Sequence, residues 1–199
     1  MTELYDIVKV PDPVLKQKAQ EVQNIDSDIL TQVERMMASM YHDRGIGLAA
    51  NQVGLLNRIF VMDLPKDSWR FGQEIDGILT IEAGYRSGER DEEEDMSDPI
   101  VMINPEVVWE SEQRSVYEEG CLSIPQQYAD VIRPASVCVE YLNTEGVKQE
   151  GLFEGLSGHC VQHEIDHLDG VLFIDHISSL KRNMIMKRMK KWHKENQAL

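Results

Sequence analysis

The chain has 199 residues, 42% of them hydrophobic and 28% charged, and a formal net charge of −15 at pH 7. This length suits one domain with a well-buried core, so we expect a single domain over 1–199. No apolar run approaches the roughly eighteen residues of a membrane span, and the start lacks the pattern of a signal peptide. The three cysteines do not suit a disulfide framework and favour a reducing compartment, the cytoplasm.

The first predicted helix begins at Ile25-Asp26-Ser27. Its apolar stripe is expected in the core and consists of Leu30, Val33, Met36, Met37 and Met40. The glycine-rich stretch from Gly45 to Gln52 follows. Taken alone, this stretch is typical of a helix stop and a turn, with Gln52 as a surface amide.

Five segments have the composition of β-strands: 58–64, 100–108, 115–124, 129–143 and 147–153. Helices at both ends of antiparallel strands indicate the α+β class. Between Leu64 and Ile100, at about 65–99, lies an insertion that carries the acidic run 89–95. Its composition predicts a flexible, solvated segment.

Residues 162–170 contain the pattern H-E-x-x-H. Two histidines four positions apart lie on the same face of a helix, so His163 and His167 can bracket one metal ion with Glu164 beside it. Apolar neighbours at helical spacing predict that this face is buried, with Ser157 as N-cap and Asp169-Gly170 as the stop. A buried imidazole pair without a partner is costly, which favours a metal.

The third ligand is not adjacent in sequence. The metzincin pattern would require a histidine where Phe173 stands, and the only glutamate after Glu164 is Glu195, in the basic tail. Three further candidates lie at or past the helix stop and are less favoured: Asp169, Asp175 and His176. An upstream ligand is therefore expected.

Each cysteine has its own interpretation. Cys138 lies in a predicted strand and is expected in the core. Cys160 shares the helix of both histidines, and because three consecutive turns of one helix cannot converge on one ion, we expect it to pack against the site. Cys121 lies between a glycine and a proline, where a strand could deliver its sulfur, and is the favoured third ligand.

The C-terminal residues 178–199 hold seven of the 20 lysines and arginines but one of the 35 acidic residues. The segment is thus a basic helix on an acidic body. Apolar residues recur at helical spacing: Leu180, Met184, Ile185, Met189 and Trp192. One face is expected to pack on the body, while the other is either solvated or meets a partner.

Three motifs together resemble those of the peptide deformylase family, in the same order: 45–52, Glu119-Gly120-Cys121-Leu122-Ser123, and 162–167. The similarity runs over nearly the whole chain. It implies an α+β fold with antiparallel sheets around a central H-E-x-x-H helix, and an enzyme that removes the formyl group from the N-terminal formyl-methionine of nascent polypeptides, releasing formate. We expect a monomer, with neither a membrane nor DNA as partner.

The resemblance also implies the site. The ligands of the divalent ion are Cys121, His163 and His167, with Fe2+ expected and Zn2+, Ni2+ or Co2+ able to substitute. Metal-bound water attacks the formyl carbon with Glu164 as general base and acid, while the Gln52 side chain and the Leu122 N–H stabilise the oxyanion. The implied substrate-binding residues are Gly45, Ile46, Gly47, Glu119, Gly120, His159 and Cys160.

His159 departs from the family pattern, because many relatives carry an apolar residue there. Three interpretations stay open: it points away from the methionine slot, it narrows the slot, or it is a partly exposed helix histidine.

The family also implies that the C-terminal helix docks on the ribosome. Deletion of residues 180–199 is therefore expected to abolish salt-sensitive ribosome binding and to leave hydrolysis of a short formyl peptide largely intact. Two other readings are a peptidase with the same H-E-x-x-H chemistry and a ribosome-associated binding module whose structural metal has a fourth protein ligand.

Overall fold

The computed structural model describes residues 3–64, 71–81 and 99–196. The helices are α1 at Ser27–His42, α2 at Gly155–Leu168 and α3 at Ser179–Asn196. The strands are β1 Gly47–Ala49, β2 Ile59–Met62, β3 Phe71–Ile75, β4 Ile78–Ile81, β5 Ile100–Glu110, β6 Arg114–Cys121, β7 Ile124–Pro134, β8 Ser136–Leu142 and β9 Lys148–Glu154. The predicted α+β class is confirmed.

The strands form two sheets. One is antiparallel in the order β1-β2-β5-β8-β9, and the other has the order β3-β4-β6-β7, with β4 parallel to β6. The predicted strand 129–143 is wrong as one element, since β7 and β8 lie in different sheets and are separated by Ala135. The predicted strand 115–124 is also divided, by a turn at Leu122 and Ser123. Alternating apolar residues continue across both breaks, so the pattern does not reveal them.

Part of the predicted insertion is ordered. Residues 71–81 form the β3–β4 hairpin, whose turn residues Asp76 and Gly77 have φ values of 52° and 80°. Asp-Gly is the preferred sequence for such a two-residue turn. The expectation of a flexible segment is therefore wrong for 71–81, and the acidic run 89–95 lies outside the described residues.

Helix α1 begins as predicted after Asp26, whose carboxylate accepts hydrogen bonds from the backbone N–H groups of Asp28 and Ile29. Its stripe packs on β1 and β2. Val33, Met36 and Met40 are buried, whereas the Leu30 side chain is 38% exposed and lies outside the core.

Helix α2 contacts strands of both sheets, and nearly all of its side chains are buried. It begins at Gly155 rather than after Ser157, whose hydroxyl instead donates to the Glu154 carbonyl in the first turn. It ends at Asp169 as predicted, and Gly170 follows with φ 74°.

Helix α3 packs on the body through Ile185, Met189 and Trp192. The predicted apolar face is wrong at Leu180 and Met184, which are 71% and 49% exposed. The buried residues join a cluster that also contains residues near the start of the chain.

In the part of the chain that the structure describes, no helix is both long and apolar enough to cross a membrane.

Candidate active site

Two elements bring the predicted ligands together. Helix α2 carries His163 and His167, and the last residue of β6 is Cys121. One ligand atom from each of these buried residues lies within 4.8 Å of the other two. The Cys121 Sγ is 3.2 Å from His167 Nε2. Among the described residues, no fourth metal-binding side chain joins this group.

The alternative third ligands have other partners. Asp169 accepts a hydrogen bond from Arg58 at 2.8 Å, and Asp175 pairs with Lys16. The His176 ring binds Asp166 at 2.7 Å. None of the three alternatives belongs to the Cys121 group.

The electrostatics of the site favour a thiolate at Cys121. Burial alone would raise the pKa of this thiol, but the neighbouring His167 and His163 hold it well below its usual range. The His163 Nδ1 lies 2.8 Å from Glu119 Oε2. A carboxylate fixes that nitrogen as the protonated one, so the opposite nitrogen of His163 remains available as a ligand atom.

Glu119 belongs to a buried ion network that the sequence did not predict. Arg133 pairs with the Glu119 carboxylate on one side and with Asp166, at 2.7 Å, on the other. Burial acts to raise the pKa of Glu119, but Arg133 holds it well below its ordinary value. An arginine in an amphipathic strand is typical of a solvated face, so no local signal pointed to Arg133.

Glu164 lies beside the ligands in a water-poor position. Burial raises its pKa to about 7, and within the described residues its Oε2 has no hydrogen-bond partner. A carboxyl with a pKa near neutrality can both accept and return a proton at physiological pH. Gly47 permits this arrangement, because a Cβ there would lie 2.3 Å from Glu164 Oε1.

Gln52 is buried and points into the site. Its Oε1 accepts a hydrogen bond from the Ala49 N–H at 2.8 Å, which turns Nε2 toward Cys121 Sγ and Ser123 Oγ, each 3.4 Å away. The interpretation of Gln52 as a surface amide is therefore wrong. Leu122 lies in the turn just after Cys121.

A cavity opens beside these groups. Six predicted substrate-binding residues line it, namely Ile46, Gly47, Glu119, Gly120, His159 and Cys160. Gly45 does not line this cavity. Two lining residues were missed, Tyr117 and Leu156. Both had a signal in the sequence: Tyr117 lies two residues before Glu119 in a strand, and Leu156 lies four before Cys160 in a helix.

His159 is buried, so the partly exposed alternative is wrong. Its Nε2 lies 2.9 Å from Ser115 Oγ and its Nδ1 lies 3.2 Å from Glu119 Oε1. Burial lowers its pKa, although the neighbouring Glu119 acts in the opposite direction. Both ring nitrogens are thus occupied by these partners, and His159 is among the residues that line the cavity.

The other cysteines differ from each other. Cys160 lines the cavity with its sulfur 3.8 Å from the Ile46 carbonyl, and burial raises its pKa well above the usual value. It therefore packs against the site as a thiol, as predicted. The expectation that Cys138 lies in the core is wrong, since Val137 and Val139 occupy the buried positions of β8.

An H-E-x-x-H helix facing a cavity, with one thiolate and two imidazoles that could hold a metal ion, has the arrangement of a metallohydrolase. Comparison with known proteins then identifies the family. The family model of polypeptide deformylase matches residues 4–183. The chain belongs to the polypeptide deformylase family and is an enzyme.

Individual relatives agree over nearly the whole chain. The chain is 46% identical to the peptide deformylase of Rhizobium meliloti over 185 residues, covering 93% of this chain and 91% of that protein. Among solved structures, the peptide deformylase from Ehrlichia chaffeensis has a TM-score of 0.82 at 32% identity, covering 98% and 99% of the two chains. That from Legionella pneumophila has a TM-score of 0.79 at 34% identity, covering 98% of each chain.

Proposed function

We propose that this protein removes the N-formyl group from the formyl-methionyl end of nascent polypeptides and releases formate. The observation that carries the proposal is the meeting of Cys121, His163 and His167 beside the buried carboxyl of Glu164, at the wall of one cavity. Family membership supports the same reaction. The thiolate and free cysteines suit a reducing compartment, the cytoplasm.

The donor set fits a divalent transition-metal ion. One thiolate and two imidazoles suit borderline ions such as Fe2+, Zn2+, Ni2+ and Co2+, whereas Mg2+ and Ca2+ prefer oxygen ligands. Three protein ligands are the number found in catalytic rather than structural sites. A bound ion would supply Lewis acidity and lower the pKa of water. We propose Fe2+ as the resident ion.

Groups of the protein itself transfer the protons of the reaction and stabilise the negative charge that develops. Glu164 takes a proton from the attacking water and delivers it to the leaving amine, a role that its pKa of about 7 supports. The negative charge that develops on the formyl oxygen is stabilised by the Gln52 amide and the Leu122 N–H. Loss of one such donor typically lowers turnover about 100-fold or more.

The cavity supports recognition of methionine. Part of its lining is apolar or aromatic, including Ile46, Leu156 and the His159 ring. An unbranched side chain fits such a slot. The strand β1 is at the edge of its sheet, so the backbone near Gly47 can pair with the peptide. The Glu119 carboxylate is occupied by Arg133 and His163, so only its main chain is available to substrate.

The basic face of α3 supports the ribosome as a partner. Lys181, Lys187, Lys190, Lys191 and Lys194 are all exposed. Ribosomal RNA offers phosphates that such a face attracts. Deletion of 180–199 is a poor test, however, because Ile185 and Met189 pack in the same cluster as Cys121. Loss of the helix would disturb the proposed metal site as well.

The activity is tested by anaerobic assay of formyl-Met-Ala-Ser with enzyme supplied separately with iron, nickel and zinc. Formate release is expected, and Glu164→Ala should abolish it while metal is retained. Cys121→Ala should lose the metal. Cleavage of internal amide bonds in an unformylated peptide, or an absence of formate with all three metals, would overturn the proposal.

A further inference from the structure

The N-terminal segment 8–10 is hydrogen-bonded to both elements that carry the proposed oxyanion donors. The Val8 N–H donates to the Gln52 carbonyl at 2.7 Å, and the Val10 N–H donates to the Ser123 carbonyl at 3.0 Å. Between them, the Lys9 Nζ donates to the Leu122 carbonyl at 2.8 Å. Three consecutive residues thus connect two sites that are about 70 positions apart in sequence.

These two sites belong to different parts of the fold. Gln52 lies in the 3-10 helix Ala50–Val53 that follows β1 in the five-stranded sheet. Leu122 lies in the turn between β6 and β7 of the other sheet. The hydrogen bonds from Gln52 Nε2 to Cys121 and Ser123 are long, 3.4 Å each. The shorter connections run through residues 8–10.

Lys9 is held firmly in this position. It is half-buried, and burial lowers its pKa while Asp43 and Cys121 act in the opposite direction. A hydrogen bond from an ammonium group to a carbonyl is stronger than one between neutral groups. Next to it, Val10 is 2% exposed and packs with Cys121 and Ile124.

We propose that residues 8–10 form an N-terminal clamp that fixes the separation of the two oxyanion donors, with Lys9 as the positioning residue for Leu122. The carbonyl that Lys9 binds is on Leu122 itself, so the bond restrains rotation of the residue whose N–H is the proposed oxyanion donor. Lys9 touches no reacting atom. The inference rests on the proposed function, because that function gives Gln52 and Leu122 their roles.

The test is Lys9→Met, which removes the donor and the charge but keeps an unbranched side chain only one atom shorter. With formyl-Met-Ala-Ser, kcat should fall about tenfold, less than the roughly 100-fold expected for loss of a whole donor. KM should change less than twofold, and metal content should stay at one ion per chain. Lys9→Arg, which can still donate, should recover most of the lost kcat. Lys18→Met, at an exposed lysine nearby, should behave as wild type.

The visible absorption of the Co2+-loaded proteins gives a readout besides activity. The spectrum of Lys9→Met should match that of wild type, because its ligand set is unchanged. Unchanged kcat would overturn the clamp, and so would loss of metal or an altered spectrum, since Lys9 would then act on Cys121. Failure of the wild-type protein to release formate would overturn the proposed function instead. The failure of the clamp and the failure of the proposed function are therefore distinguishable.

Discussion

Arg133 donates two hydrogen bonds to Glu119, from Nε to Oε1 at 2.6 Å and from Nη2 to Oε2 at 3.0 Å. Both side chains are buried. Glu119 in turn binds His163, so the orientation of a proposed metal ligand depends on an arginine that does not itself line the cavity. The planar guanidinium suits this two-point contact in a way that a lysine does not.

Arg133→Lys should therefore weaken metal binding. A single ammonium cannot reproduce the paired hydrogen bonds, and Glu119 would hold His163 less firmly. Loss of such outer contacts typically lowers metal affinity about 10- to 100-fold. Competition between the protein and a chelator for Zn2+ measures the change. Arg114→Lys, at an exposed arginine of β6, is the matched control and should leave affinity unchanged. Equal affinity of Arg133→Lys and wild type would exclude this role.

Glu164 should make the stability of the metal-free protein depend on pH. Its pKa is about 7 in the folded state and 4.5 in the reference state, so the folded protein binds this proton more tightly than the unfolded chain. The free energy of unfolding that this group contributes is fully present below pH 4.5 and is lost as the pH rises to about 7. The loss is roughly 3 kcal/mol.

Glu164→Gln has no carboxyl group to titrate at this position. Its free energy of unfolding should therefore lack this pH dependence. Urea unfolding of both proteins in chelator at pH 5 and pH 8 tests the prediction. Between pH 5 and pH 8, the free energy of unfolding of wild type should fall relative to that of the variant by about 2.5 kcal/mol. A constant difference between the two proteins would show that burial does not raise this pKa.

His159 and Ser115 should be energetically coupled. Both are buried, so His159→Leu leaves the Ser115 hydroxyl without its partner, and Ser115→Ala does the same to the His159 ring. Each single change should cost about 1–3 kcal/mol. The double variant should cost less than the sum of the two, because the second change removes the group left unpaired. Simple additivity in a double-mutant cycle would contradict the contact.

Gly47→Ala should damage catalysis more than stability. The added Cβ would lie 2.3 Å from Glu164 Oε1 and 3.0 Å from Cys160 Sγ, so the carboxylate must move. We expect kcat to fall about 100-fold, a typical size for a lost acid–base contribution. Metal content, measured by atomic absorption, should be unchanged. Nearly full activity would mean that Glu164 does not act from its present position.

Charge reversal tests the basic face of α3 without disturbing its packing. Lys187→Glu, Lys190→Glu and Lys194→Glu combined should weaken ribosome cosedimentation at least tenfold at low salt, because each lysine is exposed and can pair with phosphate. Hydrolysis of a short formyl peptide should persist. The same reversal at Lys18, Arg114 and Lys148 is the control. Equal loss with both triples would indicate a general effect of net charge.

The candidate metal-binding residues could be predicted from the sequence, whereas the residues that hold them and the cavity wall in place could not. The spacing of His163 and His167 fixes their common helix face, and exclusion of downstream ligands led to Cys121. Arg133 and Ser115 were missed because their partners lie on other elements, distant in sequence. Such pairing depends on tertiary contacts, which periodicity does not report.

The errors in the fold have a similar cause. Alternation of apolar residues does not show that Ala135 separates strands of two different sheets. Nor does it show which face of β8 points into the core. For this reason the prediction that Cys138 lies in the core is wrong. The partly exposed alternative for His159 follows from the frequent solvation of an imidazole on a helix. The two buried partners of His159 are distant in sequence, so the local pattern does not indicate them.

Helix α3 and the N-terminal segment meet beside Cys121. The His193 ring of α3 binds the carbonyl of Val10, 183 positions earlier, and both helix and N-terminal segment share a cluster with Cys121. Synthesis proceeds from the N-terminus, so helix α3 is the last part of this cluster to be made. The apolar surroundings of Cys121 therefore cannot be complete until helix α3 has been made and has folded back onto the N-terminal segment.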